Sequence, residues 1–237
     1  VTGLGCITPV GNSVDEFWSS LMLGKSGVSD ITVFDAENMA VKFSASIKDF
    51  DAEKYFDLKE QRKLDLFMQY GMAAGIDAVN DSMINDADLD TERVGIAIGS
   101  GIGGLPSIET THNTYLKSGP RRISPFFIPA TIINMISGNL SIKYGYKGPN
   151  LSIVTACTTG THNIGEGFRQ IQYSHADVMI CGGAEMATTP LGIGGFAAAR
   201  ALSTRNDDPQ KASRPWDTGR DGFVLGDGAG VLVLEEL

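Results

Sequence analysis

The stretch from Gly148 to Tyr173 changes its hydrophobic period in mid-course, and this constrains the fold more than any other feature. Leu151, Ile153 and Val154 make a short apolar run bounded upstream by Gly148-Pro149, the pattern of a short strand. From Gly160 the pattern turns helical: across Asn163 to Tyr173 the apolar residues Ile164, Phe168 and Ile171 fall at spacings of four and three. Cys157 lies at the junction. There the unpaired backbone N–H groups and the positive dipole end of the helix favour an anionic sulfur, so Cys157 is the candidate nucleophile. The competing reading is a small buried hydrophobe, the commoner fate of a lone cysteine.

The flanking chain repeats the alternation. Val1 to Gly5 reads as a strand end followed by a turn, and Asn12 or Ser13 caps a helix over 14–23. Residues 28–50 read as irregular or short-stranded. A long helix is predicted over 59–83, with Leu64, Phe67, Met68, Met72 and Ile76 on its apolar face. Lys59, Arg62 and Lys63 would then share one face, a pattern that alone reads as a solvated helix end. A buried strand follows over 93–98, a helix over 131–144 and a second buried strand over 176–181, closed by Gly182-Gly183, with Cys181 as packing. Gly192 to Ala199 is a glycine-rich stretch before a polar loop. Phe223 to Leu225 and Val231 to Leu234, around Gly226-Asp227-Gly228, read as a hairpin. The sum is an α/β layered fold without a short internal repeat.

Composition narrows the function. A net charge of −9 argues against a nucleic-acid binder or a membrane-attracted surface, while leaving room for a local basic patch. The cysteines, Cys6, Cys157 and Cys181, are too far apart for a Cys-x-x-Cys pair or a zinc knuckle, and their sparse, odd number suits a reducing compartment. The apolar run around Phe126 to Ile136 is broken by Pro129 and Asn134 and is too short to span a bilayer. No signal peptide is apparent, and both ends look cut, since the chain begins and stops in mid-pattern. Gly99-Ser-Gly101-Ile-Gly103-Gly104 matches the dinucleotide-binding fingerprint and follows a strand. Against it, no acidic residue stands about twenty residues on at the end of a second strand.

Once these motifs are in place, the chain resembles the β-ketoacyl-[acyl carrier protein] synthases of the elongating type II kind, the condensing enzymes of fatty acid synthesis. The resemblance runs over essentially the whole sequence. It rests on VTGLGCITPVGN at the start, GSGIGG at 99–104, PRRISPFFIPATIINM at 120–135 and GPNLSIVTACTTGTHNIGEG at 148–167. GGAE at 182–185, PLGIGGFAAARALSTRND at 190–207 and RPWDTGRDGFVLGDGAGVLVLEE at 214–236 complete it. The match is to the type that elongates longer acyl chains rather than to modular polyketide synthases.

The resemblance implies a thiolase-like layered fold, of which residues 1–237 form the first, N-terminal half: a five-stranded mixed sheet covered by helices. It implies that Cys157 accepts the acyl group as a thioester, which malonyl-[acyl carrier protein] extends by two carbons after losing carbon dioxide. Backbone N–H groups would hold the thioester oxygen. The two histidines and the lysine that drive decarboxylation belong to the second half, so this chain alone is expected to be inactive, and His162 is read as structural. By the same resemblance Ile102, Phe127 and Phe196 match the acyl pocket, Phe127 reaching across a dimer interface. Lys59, Arg62 and Lys63, with Arg121 and Arg122, match the region that docks acidic acyl carrier protein. A cytoplasmic homodimer without cofactor or metal is implied, the strand at 151–156 pairing with its copy. Two rivals remain: a non-catalytic partner like the chain-length-factor subunits of polyketide systems, or a polyketide ketosynthase. A dinucleotide-binding module using Gly99 to Gly104 is a third.

Overall fold

A computed structural model describes residues 1–236 of the chain. Its strands are β1 (Gly3–Ile7), β2 (Ser29–Asp30), β3 (Phe43–Ser44), β4 (Val94–Gly99), β5 (Asn150–Leu151), β6 (Val178–Glu185) and β7 (Gly228–Glu235). Its helices are α1 (Val14–Met22), α2 (Leu58–Gln61), α3 (Leu66–Ser82), α4 (Leu105–Ser118), α5 (Phe127–Thr131), α6 (Met135–Tyr144), α7 (Thr159–Gln172) and α8 (Pro190–Ala198). Five strands form one mixed sheet in the order β1-β7-β6-β4-β5, with β4 parallel to both β5 and β6, and β7 antiparallel to β6 and β1. Strands β2 and β3 pair separately.

The pleat divides the core between two helical layers. Ile96 and Ile98 of β4 and Val178 and Ile180 of β6 point to one face, where Phe67, Met68 and Met72 of α3 and Ile136 and Leu140 of α6 cover them. The alternate residues Ala97, Met179 and Cys181 point to the other face, packed under Ile164 and Ile171 of α7. Gly167 brings α7 hard against β6, since a Cβ there would run into the Cys181 sulfur. The packing reading of Cys181 holds: it is 0% exposed, and burial pushes its thiol up to about 12.

Several expectations change, each for a local reason. The helix predicted over 59–83 is two helices. Asp57 and Glu60 form a capping box that starts α2, and Asp65 starts α3 afresh by accepting the Phe67 N–H at 3.2 Å. Lys59 therefore stands on α2, while Arg62 and Lys63 lie in the connection, so the three do not share a helical face. The helix predicted over 131–144 starts later, at Met135 of α6, and Thr131 instead ends the separate α5. The strand after Gly148-Pro149 is only Asn150–Leu151, because the Leu151 carbonyl accepts from Ser137 at 2.9 Å and Asn163 takes both backbone groups of Ile153. Gly182 and Gly183 do not close β6; they continue its ladder with β7 as far as Glu185. The first strand runs on past Gly5 to Ile7, paired with β7. The glycine-rich stretch after Thr189 is helix α8, whose cap is the Thr189 hydroxyl.

The predicted hairpin does not form. Phe223 and Gly226 make isolated parallel bridges to Leu202 and Ala45, and only 228–235 is a full strand. Asp227 is drawn inward rather than into a turn. One of its oxygens accepts the N–H groups of Ala187 at 2.9 Å and Thr188 at 3.1 Å, tying the exit of β6 to the entry of β7. The expected cap of α1 is present, with Ser13 accepting the Glu16 N–H.

Candidate active site

Cys157 is exposed, in the short connection from β5 to α7. The chain reaches it through a tight reversal. Ala156 adopts φ +52°, a left-handed conformation that costs an L-residue about 1–2 kcal/mol and that the surroundings have to enforce. The Thr159 N–H donates to the Ala156 carbonyl at 3.1 Å and the Thr158 N–H to the Thr155 carbonyl at 3.1 Å, closing the turn into the helix. The Thr155 N–H donates to the Thr159 hydroxyl at 3.0 Å.

Beneath this turn lies Asn163, 0% exposed. Its side-chain carbonyl accepts the Ile153 N–H at 3.0 Å, and its amide donates to the carbonyls of Ile153 at 2.9 Å and Thr159 at 2.8 Å. The amide thus substitutes for a neighbouring strand where the chain leaves the sheet, which fixes the approach to Cys157. His162 faces the same turn: its Nδ1 lies 3.1 Å from the Thr155 hydroxyl. A small thiol on a braced, exposed turn suits attack on a carbonyl from outside the protein.

The fingerprint loop at 99–104 holds an anion of its own. Glu185, at the end of β6, accepts from the Ser100 hydroxyl at 2.8 Å, the Gly101 N–H at 2.8 Å and the Ile102 N–H at 3.1 Å. The donors that would cradle a pyrophosphate in a dinucleotide site are thereby occupied from inside the molecule. Burial raises the carboxyl above its usual range, against the pull of these hydrogen bonds. Sequence reasoning passed over Glu185. The available signal was an acidic residue ending a strand that is otherwise apolar and glycine.

The other expected site residues fall into separate groups. The loop carrying Ile102 packs on the Cys157 turn, since a Cβ on Gly101 would stand 3.4 Å from the Ala156 carbonyl. Ile102 itself is 38% exposed. Phe127 begins α5 and lines a cleft of about 250 Å³ with Arg62, Leu64 and Phe126. Phe196 lies on α8 in a different apolar cluster, edge-to-face with Phe223 at 5.4 Å.

The basic residues come from two segments. Lys59, Arg62 and Lys63 surround the end of α2, and Arg121 and Arg122 stand in the tight helical turn Pro120–Arg122. All five are exposed, and none forms an ion pair among the described residues. Lys63 links the segments: its ammonium lies 5.1 Å from the centroid of the Phe126 ring, a cation–π contact. No helix among the described residues is long and apolar enough to cross a membrane.

Comparison with known proteins agrees with this geometry. The family of the β-ketoacyl synthase N-terminal domain matches residues 1–237. A curated relative, 3-oxoacyl-[acyl-carrier-protein] synthase 2 of Vibrio harveyi, is 59% identical over all of this chain and 57% of its own length. A solved β-ketoacyl synthase from Burkholderia phymatum superposes with a TM-score of 0.89 at 28% identity, over 100% of this chain and 58% of that one. A type II polyketide ketosynthase solved in complex with its acyl-carrier protein superposes with a TM-score of 0.83 at 31% identity, over 100% of this chain and 57% of that one. This chain therefore spans little more than half the length of the curated relatives it matches. The layered five-stranded sheet, the cysteine turn and the family match together assign the chain to the β-ketoacyl synthase family, as its N-terminal domain.

Proposed function

We propose that residues 1–237 form the N-terminal half of an elongating β-ketoacyl-[acyl carrier protein] synthase, and that Cys157 is its acyl acceptor. The observation that carries this is the exposed Cys157 on a turn held by Asn163 and by the left-handed Ala156. In the first half-reaction the Cys157 sulfur attacks the thioester carbonyl of acyl-[acyl carrier protein]. The tetrahedral adduct collapses with expulsion of the carrier's thiol, leaving the acyl group on Cys157. In the second, malonyl-[acyl carrier protein] loses carbon dioxide and its carbanion attacks the Cys157 thioester. A carbon–carbon bond forms, the Cys157–acyl bond breaks, and the thiolate is released with a β-ketoacyl product two carbons longer. The groups that drive decarboxylation belong to the second half of the enzyme.

Carrier-protein docking at Lys59, Arg62, Lys63, Arg121 and Arg122 is supported by their exposure and by the cation–π link across the two segments. The neighbouring ketosynthase bound to its acyl-carrier protein supports the same class of partner. Ile102, Phe127 and Phe196 are proposed to line the acyl pocket. A homodimer formed through the β5 edge is supported by the position of that strand at the end of the sheet, and the cytoplasm is the proposed location. The test is to expose the full-length enzyme to a cerulenin-like electrophile or an acyl thioester and map the modified residue. Cys157 is the expected site. Labelling that persists in Cys157→Ser would sink the assignment.

A further inference from the structure

We infer that Glu185 is a positioning residue for Cys157, acting through the loop it clamps. The inference rests on the acyl-acceptor role proposed for Cys157. The chain of contacts is continuous. Glu185 holds Ser100, Gly101 and Ile102, and the Gly103 N–H in turn donates to the Ser100 hydroxyl at 3.0 Å. Gly101 is then confined between two walls, since a Cβ there would meet a Glu185 oxygen at 2.6 Å on one side and the Ala156 carbonyl on the other. Gly99, at the base of the same loop, abuts Ile153, Thr159 and Asn163, the residues that brace the cysteine turn from beneath. The strained Ala156 is therefore supported on one side by Asn163 and Thr159, and on the other by a loop whose position Glu185 sets.

The chemistry of the clamp requires a carboxylate. Three donors converge on the two oxygens, and an amide would turn an N–H toward one of them. The half-buried Glu185 carboxylate forms no ion pair among the described residues, and withdrawing such a charge even partly from water is costly. A neutral side chain would suffice if the loop needed only to be filled. Fixing the backbone beside Cys157 to a fraction of an ångström explains why the charge is kept, because a displacement of about 1 Å can cost 10²-fold in a reaction between positioned groups.

The experiment compares two reactions of Cys157 in the full-length enzyme. Transfer from acyl-[acyl carrier protein] requires an oriented sulfur and carbonyl, whereas alkylation by iodoacetamide requires only an accessible one. Glu185→Gln is expected to slow acyl transfer by about 10²-fold while alkylation stays within about threefold of wild type. Acyl transfer within threefold of wild type would overturn the inference, as would an equal fall of both reactions in protein that remains folded. Ser100→Ala removes a single donor from the same clamp and serves if Glu185→Gln does not fold. It is expected to slow acyl transfer about tenfold relative to alkylation, and an unchanged ratio overturns the role. Wild-type enzyme that never acylates Cys157 would overturn the proposed function itself and the positioning role with it.

Discussion

Cys157 and Cys181 make opposite use of the same side chain within one strand–helix–strand unit. Cys157 stands where the chain has left the sheet, on a turn in which side chains of Asn163 and Thr159 replace strand hydrogen bonds. Cys181 lies within β6, where ladders on both sides use its backbone and Gly167 of α7 closes over its sulfur. The residue type does not decide accessibility here. What sets the exposure of the sulfur is whether the backbone around it belongs to the sheet or has departed from it.

The sharpest test of that contrast is differential thiol chemistry. Burial pushes the Cys181 thiol up to about 12, so at pH 7 it is held as the unreactive thiol. Brief alkylation of the native protein, followed by peptide mass spectrometry, should modify Cys157 and spare Cys181 by a factor of about 10³ or more. Comparable labelling of both would break the comparison. The burial side can then be probed at Gly167→Ala, where the new Cβ would collide with the Cys181 sulfur. Overpacking should cost about 1–3 kcal/mol in urea unfolding, in spite of the better helix propensity of alanine. Cys181→Ala placed in the same chain should recover part of that loss; without such recovery, contact with the Cys181 sulfur is not what limits α7.

Smaller effects sharpen the exposed side. Ala156→Gly relieves the positive φ and should stabilise the fold by about 0.5–1 kcal/mol, while loosening the turn that presents Cys157. A stability gain together with slower acyl transfer is expected; a loss of stability would mean that the alanine methyl contributes packing that outweighs the strain. The smallest effect concerns Asp227, which uses one oxygen for both of its backbone donors. Asp227→Asn keeps an oxygen there and removes a buried charge. Burial raises the Asp227 carboxyl, so its contribution to stability is fully present below the ordinary carboxylate range and is lost as pH rises through the raised value. The variant's stability relative to wild type should therefore improve from acid toward neutral pH, by less than about 1 kcal/mol, in a series of urea melts. A variant that loses stability relative to wild type over that range would reverse the sign assigned to Asp227.

Carboxylates drawn inward also account for much of what the one-dimensional pattern did not show. The helix expected over 59–83 breaks at Asp65, the hairpin is replaced where Asp227 turns inward, and the dinucleotide fingerprint is occupied by Glu185. In each case the donor groups come from a distant part of the chain: Asp65 also accepts the Ser107 N–H at 2.9 Å, Asp227 reaches back to Ala187, and Glu185 to Gly101. A carboxylate in a sequence reads as surface, cap or turn because those are its usual places in water. Its burial is decided only when another segment delivers enough N–H groups to replace hydration.

Periodicity and turn chemistry were local, and they were legible. The apolar positions Phe67, Met68, Met72 and Ile76 are buried in α3, although burial there runs all round the helix from Phe67 to Ile76 and Leu64 precedes it; Ser13 does cap α1, and the strand-to-helix switch around Cys157 lies where the change of period put it. Family membership, too, was readable from motifs whose spacing alone is specific. The three-dimensional packing decided where β5 stops, where β6 ends, which loop stands beside Ala156, and that the Lys59–Lys63 and Arg121–Arg122 segments meet at Phe126. These outcomes depend on hydrogen bonds and contacts between residues tens of positions apart, and such partners carry no period along the chain.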